Sequence, residues 1–195
     1  QFNALLGFVR EQTRFPKRNV VIVLSSFKAG MRSQEIAGLT WEMLTDASGA
    51  IQHEVRLQDS ASKGQSGRVI PLHPKLYDAL VDLHKDEAER GRTAPENYVI
   101  TLAKGNEDLK SRARSIQFLF NGKGKQLGWF KQLGFDGCSS HTGRRTFITN
   151  AARAVSSVGG SLREVQELAG HNSIAMTQRY VEVSEDAKKK LVARI

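Results

Sequence analysis

The sequence predicts a mainly α-helical domain with one small antiparallel β-hairpin, an α+β arrangement. Three observations predict it. Apolar residues recur three and four apart through most of the chain, which is the helical spacing. Residues 50–72 alternate, pass through a turn-rich segment and become extended again, as a hairpin does. No clear linker, internal repeat or low-complexity segment divides the 195 residues, which is room for one ordinary domain with its own core.

The elements follow in order. Residues 3–13 read as a helix with Leu5, Leu6, Phe8 and Val9 on its apolar side. VVIVLSSF (20–27) is a continuous apolar run that suits a buried strand or a buried helix. After Arg32, the positions of Ile36, Leu39 and Leu44 mark a helix expected to end near Thr40. Within the hairpin, IQHEVRL alternates, SASKGQSG supplies the turn and RVIPL resumes the extended pattern. Residues 74–90 read as a helix, with Pro74 at its start and Leu76, Leu80 and Leu83 on one side. YVITL (98–102) reads as a short extended piece. Beyond it the chain reads as helical, with breaks at NGKGK (121–125), 134–140, 159–160 and 170–173. The tail, 184–195, reads as a helix capped by Ser184, with Ala187, Leu191 and Ile195 on one face.

Composition narrows the function. A hydrophobic fraction of 39% with 25% charged residues describes a soluble globular chain. No apolar run reaches the roughly 18 residues that cross a membrane. One cysteine, Cys138, cannot form an internal disulfide, and no targeting segment is visible, so an intracellular domain is expected. Lysine and arginine number 29 against 20 acids, for a net charge of +9. The excess is uneven: residues 1–98 hold 13 bases and 12 acids, and residues 99–195 hold 16 and 8. Lys104, Lys110, Arg112, Arg114, Lys123, Lys125 and Lys131 face only Glu107 and Asp108 within their stretch. A one-sided basic field attracts a polyanion, and nucleic acid is the expected partner.

The familiar cofactor signatures are absent. There is no phosphate-binding G-x-x-x-x-G-K-[ST] loop, and Gly122 with Gly124 do not extend to G-x-G-x-x-G. Cys138 and His141 lack a second ligand pair for zinc, and Asp78, Asp82 and Asp86 read as a solvated helix face. No metal site is expected.

Four stretches carry chemistry. In SSHTGRRTFITNAAR (139–153), Ser139 or Ser140 can cap a helix carrying His141 and, three residues on, Arg144. That spacing stacks an imidazole and a guanidinium on one face, the pair a phosphodiester requires for proton transfer and for a two-pronged grip on its oxygens. In LAGHNSIAMTQRYVE (168–182), a helix stops at Gly170, His171 stands at the turn and Tyr180 ends the next short helix. In AGMRSQEIAGLTW (29–41), Glu35 lies three residues past Arg32 and can hold its guanidinium. Lys63 sits among small residues in the hairpin turn, just ahead of RVIPL.

Taken in chain order (R-x-x-E, the hairpin lysine, H-x-x-R, L-x-G-H and a tyrosine nine residues on), the motifs resemble the tyrosine recombinase (phage integrase) family over about residues 3–183. GMRSQEIAGLTW is similar to the family's G-L-R-x-x-E-[IL]-x-x-L-x-W, departing at Met31. Lys63 with RVIPL resembles K…R-x-[IV]-P-L. LAGHNSIAMTQRY resembles L-G-H-x-[SD]-x-x-x-T-x-x-Y with one residue inserted before Gly170. H-x-L-R-H is the loosest match, since Gly143 and Arg145 replace the leucine and the second histidine.

The resemblance implies a catalytic domain over residues 1–195 of a longer protein, whose helical core-binding domain would clamp DNA from the other side. It implies strand cleavage by Tyr180, giving a 3′-phosphotyrosine and a free 5′-hydroxyl that rejoins to a partner strand. A tyrosine phenol ionises with a pKa of about 10, so a neighbour must assist the attack. His141 is assigned that proton work, Arg32 and Arg144 the clamp on the non-bridging oxygens, and His171 a hydrogen bond to phosphate. Lys63 is the acid for the leaving oxygen, and Glu35 orients Arg32 from behind. Neither metal nor ATP is required. Lys104, Lys110, Arg112, Arg114, Lys123 and Lys125 are read as contacts to the backbone of double-stranded DNA. Recombination implies a homotetramer on two sites, with the isolated domain a monomer and the tail helix docked on a neighbour or folded back in cis. Such a protein would be bacterial or phage-encoded, cytoplasmic and associated with the nucleoid, and would integrate or excise a phage or mobile element. Three other readings stay open: a type IB topoisomerase, a resolvase of chromosome dimers, and a DNA binder that keeps the scaffold without cutting.

Overall fold

The computed structural model describes residues 1–58, 67–102, 108–181 and 192–193. Its organising element is helix α2 (Pro16–Lys28), which has α1 (Phe2–Glu11) and α4 (Pro74–Glu89) packed around it. The apolar run that suited strand or helix is helical. Pro16 in the first turn presets the backbone, and 13 residues exceed the length of an ordinary strand. Its residues Asn19 to Ser26 are all buried, so the run is continuous because the helix is covered on every side.

Arg32 and Gly30 lie in the short connection that leads into α3 (Ser33–Ala37). This helix ends three residues before the expected stop: Gly38 forms its C-cap, and a 3₁₀ turn (Trp41–Met43) takes over. The hairpin pairs β1 (Glu54–Leu57) with β2 (Arg68–Pro71), antiparallel, in the register Val55 to Ile70 and Leu57 to Arg68. Val55, Leu57 and Ile70 enter the core, as the two-residue period of a strand dictates. The 98–102 segment, expected as extended, is not a strand: Tyr98 makes one isolated bridge to Thr40, the chain bends at Val99 and Ile100, and the Val99 N–H donates to Leu39 O.

Helix α5 (Leu109–Asn121) packs on α3. NGKGK, expected as a break, is the centre of a second hairpin, β3 (Gly122–Lys123) with β4 (Gln126–Leu127). Then come α6 (Trp129–Gln132), α7 (Thr142–Ala154), α8 (Leu162–Ala169) and α9 (Ile174–Gln178). Helix α7 also packs against α2, and α8 packs on α7, α9 and β2. The main core gathers Leu5, Ile22, Ile36, Trp41, Leu80 and Phe120, among others, and a small second cluster of Ile148, Val165 and Ala169 lies between α7 and α8. No helix among the described residues is long and apolar enough to cross a membrane. The expected tail helix lies outside the described residues apart from 192–193.

Arg112 corrects the expectation drawn from the basic run. It is 2% exposed, its Nε donates to Ala37 O at 3.1 Å and its Nη2 to Ile100 O at 2.8 Å. Its guanidinium lies 3.7 Å from the centroid of Tyr98. It ties α5 to α3 and to the 98–102 segment, and cannot reach a DNA backbone. Lys110, Arg114, Lys123 and Lys125 are exposed, and Lys104 lies outside the described residues. Arg112→Ala is expected to cost about 2–4 kcal/mol, from two lost charge-assisted hydrogen bonds and the cavity left behind. A lowered urea midpoint would show it.

Candidate active site

Helix α8 supplies the floor of the site. Ser161 and Glu164 form a capping box at its start, and Gly170 closes it in the left-handed region (φ 58°, ψ 51°). The last carbonyls of any helix lack partners within it. Here all are accounted for. Gln166 O accepts from the N–H of His171, and Glu167 O from that of Gly170. Leu168 O accepts from Arg68 Nε at 3.0 Å, Ala169 O from Arg144 Nη2 at 2.5 Å and Gly170 O from Arg32 Nη2 at 3.1 Å. Three successive carbonyls thus each hold one arginine, at the helix end where the dipole favours cations.

Glu35 binds two of the three from the other side. It is 1% exposed and accepts four hydrogen bonds. Arg32 gives its backbone N–H to Oε2 at 2.7 Å and its Nη1 to Oε1 at 2.8 Å. Arg68 forks onto both oxygens, at 2.8 and 3.0 Å. Burial alone would raise the Glu35 pKa, but the Arg68 and Arg32 bonds outweigh it and hold the carboxyl below its ordinary value.

Arg144 comes from the first turn of α7 and also donates to Gly30 O at 2.6 Å. Burial and the neighbouring Arg32 and Arg68 charges lower its pKa to about 10, so it stays protonated at neutral pH. The start of α7 sits unusually close to α2. A Cβ at Gly143 would lie 2.3 Å from Ser26 Oγ and 2.6 Å from the Phe27 ring, so the leucine of the family pattern could not be accommodated in this packing.

His171 is 7% exposed, with Nδ1 2.9 Å from Thr177 Oγ1. Burial first, then Arg144, Arg32 and Arg68, push its pKa down to about 4. Its ring is stacked near that of Tyr180, centroids 5.8 Å apart at 23°. The half-buried Tyr180 also packs against the small core between α7 and α8.

The structure therefore gathers Arg32, Glu35, Arg144, His171 and Tyr180 around one helix end. His141 sits apart from this contact network. It is exposed and forms the N-cap of α7 rather than lying within the helix, one turn ahead of Arg144. Lys63 lies outside the described residues. Arg68 was not among the expected site residues. It appears in sequence only as the first letter of RVIPL, 33 positions from the carboxylate it grips, although an arginine at the end of an inward-facing strand is a signal for a buried partner.

Against known proteins, the model of the Phage integrase family matches residues 1–187. The chain belongs to the phage integrase family. Among curated relatives, the tyrosine recombinase XerC of Pelobacter propionicus (strain DSM 2379 / NBRC 103807 / OttBd1) is 26% identical over 186 residues, 95% of this chain and 54% of that protein. The chain thus spans about half the length of that relative. Two solved structures share the fold. One is the catalytic domain of bacteriophage HP1 integrase, with TM-score 0.55, 18% identity, and coverage of 98% of this chain and 89% of that one. The other is XerH site-specific recombinase bound to palindromic difH substrate in a post-cleavage complex, with TM-score 0.67, 16% identity, and coverage of 98% and 50%.

Two outcomes follow from the geometry. Glu35→Gln keeps the size but leaves the buried Arg68 guanidinium and the half-buried Arg32 guanidinium without their counter-charge, which should cost about 3–5 kcal/mol in urea unfolding. Because the folded-state pKa of Glu35 is lowered, its stabilisation is present above the ordinary value of 4.5 and is lost as pH falls through the lowered one. The variant should therefore lose less stability on the acid side than the parent. Separately, an NMR titration of the free protein should show the His171 ring protonating near 4 rather than 6.5, and so neutral at pH 7.

Proposed function

We propose that this chain is the catalytic domain of a site-specific DNA recombinase that cuts and rejoins strands through a covalent tyrosine intermediate. The observation that carries the reading is the arginine cluster on the end of α8 with Tyr180 beside it. Glu35 binds two of the three guanidiniums and Arg144 rests on main-chain carbonyls alone, so the cluster keeps a net positive charge and attracts an anion such as a phosphodiester. Arg68 spends its fork on Glu35, while Arg32, with 26% of its side chain exposed, is the more open of that pair.

In the proposed reaction the Tyr180 oxygen attacks phosphorus, the bond to the 5′-oxygen breaks and a 3′-phosphotyrosine forms. Arg32 and Arg144 meet the charge that gathers on the non-bridging oxygens, and removing one such donor typically costs on the order of 10²–10³ in rate. His171 adds a hydrogen bond to phosphate. His141, at the exposed start of α7, takes the tyrosine proton, and Lys63 gives a proton to the leaving 5′-oxygen. The ester bond is exchanged rather than spent, so neither ATP nor a metal ion enters the balance.

Double-stranded DNA is the proposed partner, with two sites brought together by four copies of the whole protein. The likeness to XerH, a recombinase bound to a difH substrate, supports the DNA assignment. Lys110, Arg114, Lys123 and Lys125 are proposed backbone contacts, supported by their exposure. Integration or excision of a phage or mobile element is the leading role, supported by the family model and by the HP1 likeness. Resolution of chromosome dimers is the second, favoured by the relative named XerC. Both roles place the protein in the cytoplasm of a bacterium.

Covalent trapping tests the reading. On DNA nicked beside the cleavage point, with EDTA present, a denaturant-resistant adduct is expected and should vanish in Tyr180→Phe while binding survives. Clear binding to a verified cognate junction without any adduct would instead favour a non-cutting DNA binder.

A further inference from the structure

Thr177 is a polar residue that the fold treats as core. Its exposure is 0%, and it lies in α9, three residues ahead of Tyr180, whose N–H donates to the Thr177 carbonyl at 3.0 Å. Its hydroxyl meets one polar partner among the described residues, His171 Nδ1 at 2.9 Å. A hydroxyl has one proton to give and two lone pairs to receive with. If Nδ1–H were the donor, the hydroxyl proton would point at no acceptor in a fully buried place, a cost of about 1–3 kcal/mol. If the hydroxyl donates, each proton of the pair is used and only lone pairs are left over. The second arrangement is the stable one.

A neutral imidazole carries a single N–H, and the hydrogen bond made by one nitrogen decides which nitrogen bears it. With Nδ1 held as acceptor, the proton is on Nε2, on the other side of the ring from Thr177. We infer that Thr177 is a positioning residue: its hydroxyl fixes His171 as the Nε2–H tautomer, an obligate donor toward an anion held by Arg32 and Arg144. The nearby guanidiniums oppose a second proton, so the tautomer rather than the charge decides whether the ring can donate. The same bond ties α9 to the end of α8 and so sets the ring of His171 against that of Tyr180. The role in catalysis rests on the proposed reading of the site; the tautomer does not.

Two measurements on the 195-residue chain test the inference. A two-bond proton–nitrogen correlation with ¹⁵N-histidine reads the tautomer of His171, assigned through the signal lost in His171→Gln. The parent should show the proton on Nε2 and Nδ1 as a hydrogen-bond acceptor. Thr177→Val, which keeps the shape and deletes the donor, should lose the acceptor signature and populate both tautomers, while Thr177→Ser should keep the parent spectrum. In covalent trapping, Thr177→Val should slow adduct formation about 10- to 100-fold, as loss of partners that orient other imidazoles does, with DNA affinity unchanged, and Thr177→Ser should restore the rate. A parent ring protonated on Nδ1 would overturn the inference, as would a Thr177→Val protein with the parent's tautomer and rate. If Thr177→Val fails to fold, the parent spectrum and Thr177→Ser still decide. Should the parent form no adduct, the recombinase reading fails and the tautomer spectrum alone judges Thr177.

Discussion

Like charges crowded into a protein interior push one another apart, yet Arg32, Arg68 and Arg144 converge on a single turn of backbone. Glu35 supplies the opposing charge for two of them, and the last carbonyls of α8 supply an oriented partial charge for all three. Other parts of the fold serve this arrangement. Helix α3 presents the carboxylate, β2 brings Arg68, α7 brings Arg144, and Gly170 turns the chain so that His171 faces the cluster. A Cβ at Gly170 would lie 2.8 Å from Arg68 Nη1, so both the backbone conformation and the close approach call for glycine there.

Burial, reinforced by the cluster, separates the two histidines. His171, enclosed with three guanidiniums, is held neutral at physiological pH. His141, on the open N-cap of α7, is in contact with solvent. One ring is enclosed and hydrogen-bonded to a neighbouring hydroxyl, and the other stands open at the start of a helix. In the proposed reaction this division keeps the ring assigned to phosphate in one charge state and leaves the ring assigned to proton transfer open to solvent.

Much of this was legible in the letters, and the parts that were not have physical reasons. The helices over 2–11 and 74–89 follow from apolar spacing and from Pro74 in a first turn, and the hairpin from alternation on both sides of a turn-rich stretch. The residues Arg32, Glu35, Arg144, His171 and Tyr180 stood in motifs whose order survives folding. Arg68 did not stand out, because a strand-end arginine gains its meaning from Glu35, which only the three-dimensional fold brings near. Arg112 was grouped with its basic neighbours, although Ile116 and Phe120 follow it at intervals of four and share its buried face. Helical spacing outranks local charge when the two disagree. The grip on the arginines was unreadable for a simpler reason: main-chain carbonyls have no letter.

A socket cut from backbone is indifferent to the side chains that decorate it, so positions 168 and 169 are free to drift with the packing beneath them while the electrostatic floor stays the same. What such a socket does not tolerate is a change in the path of the chain, an unwound turn or a lost left-handed residue. Two proteins could share this floor to within a fraction of an ångström and show almost none of it in an alignment.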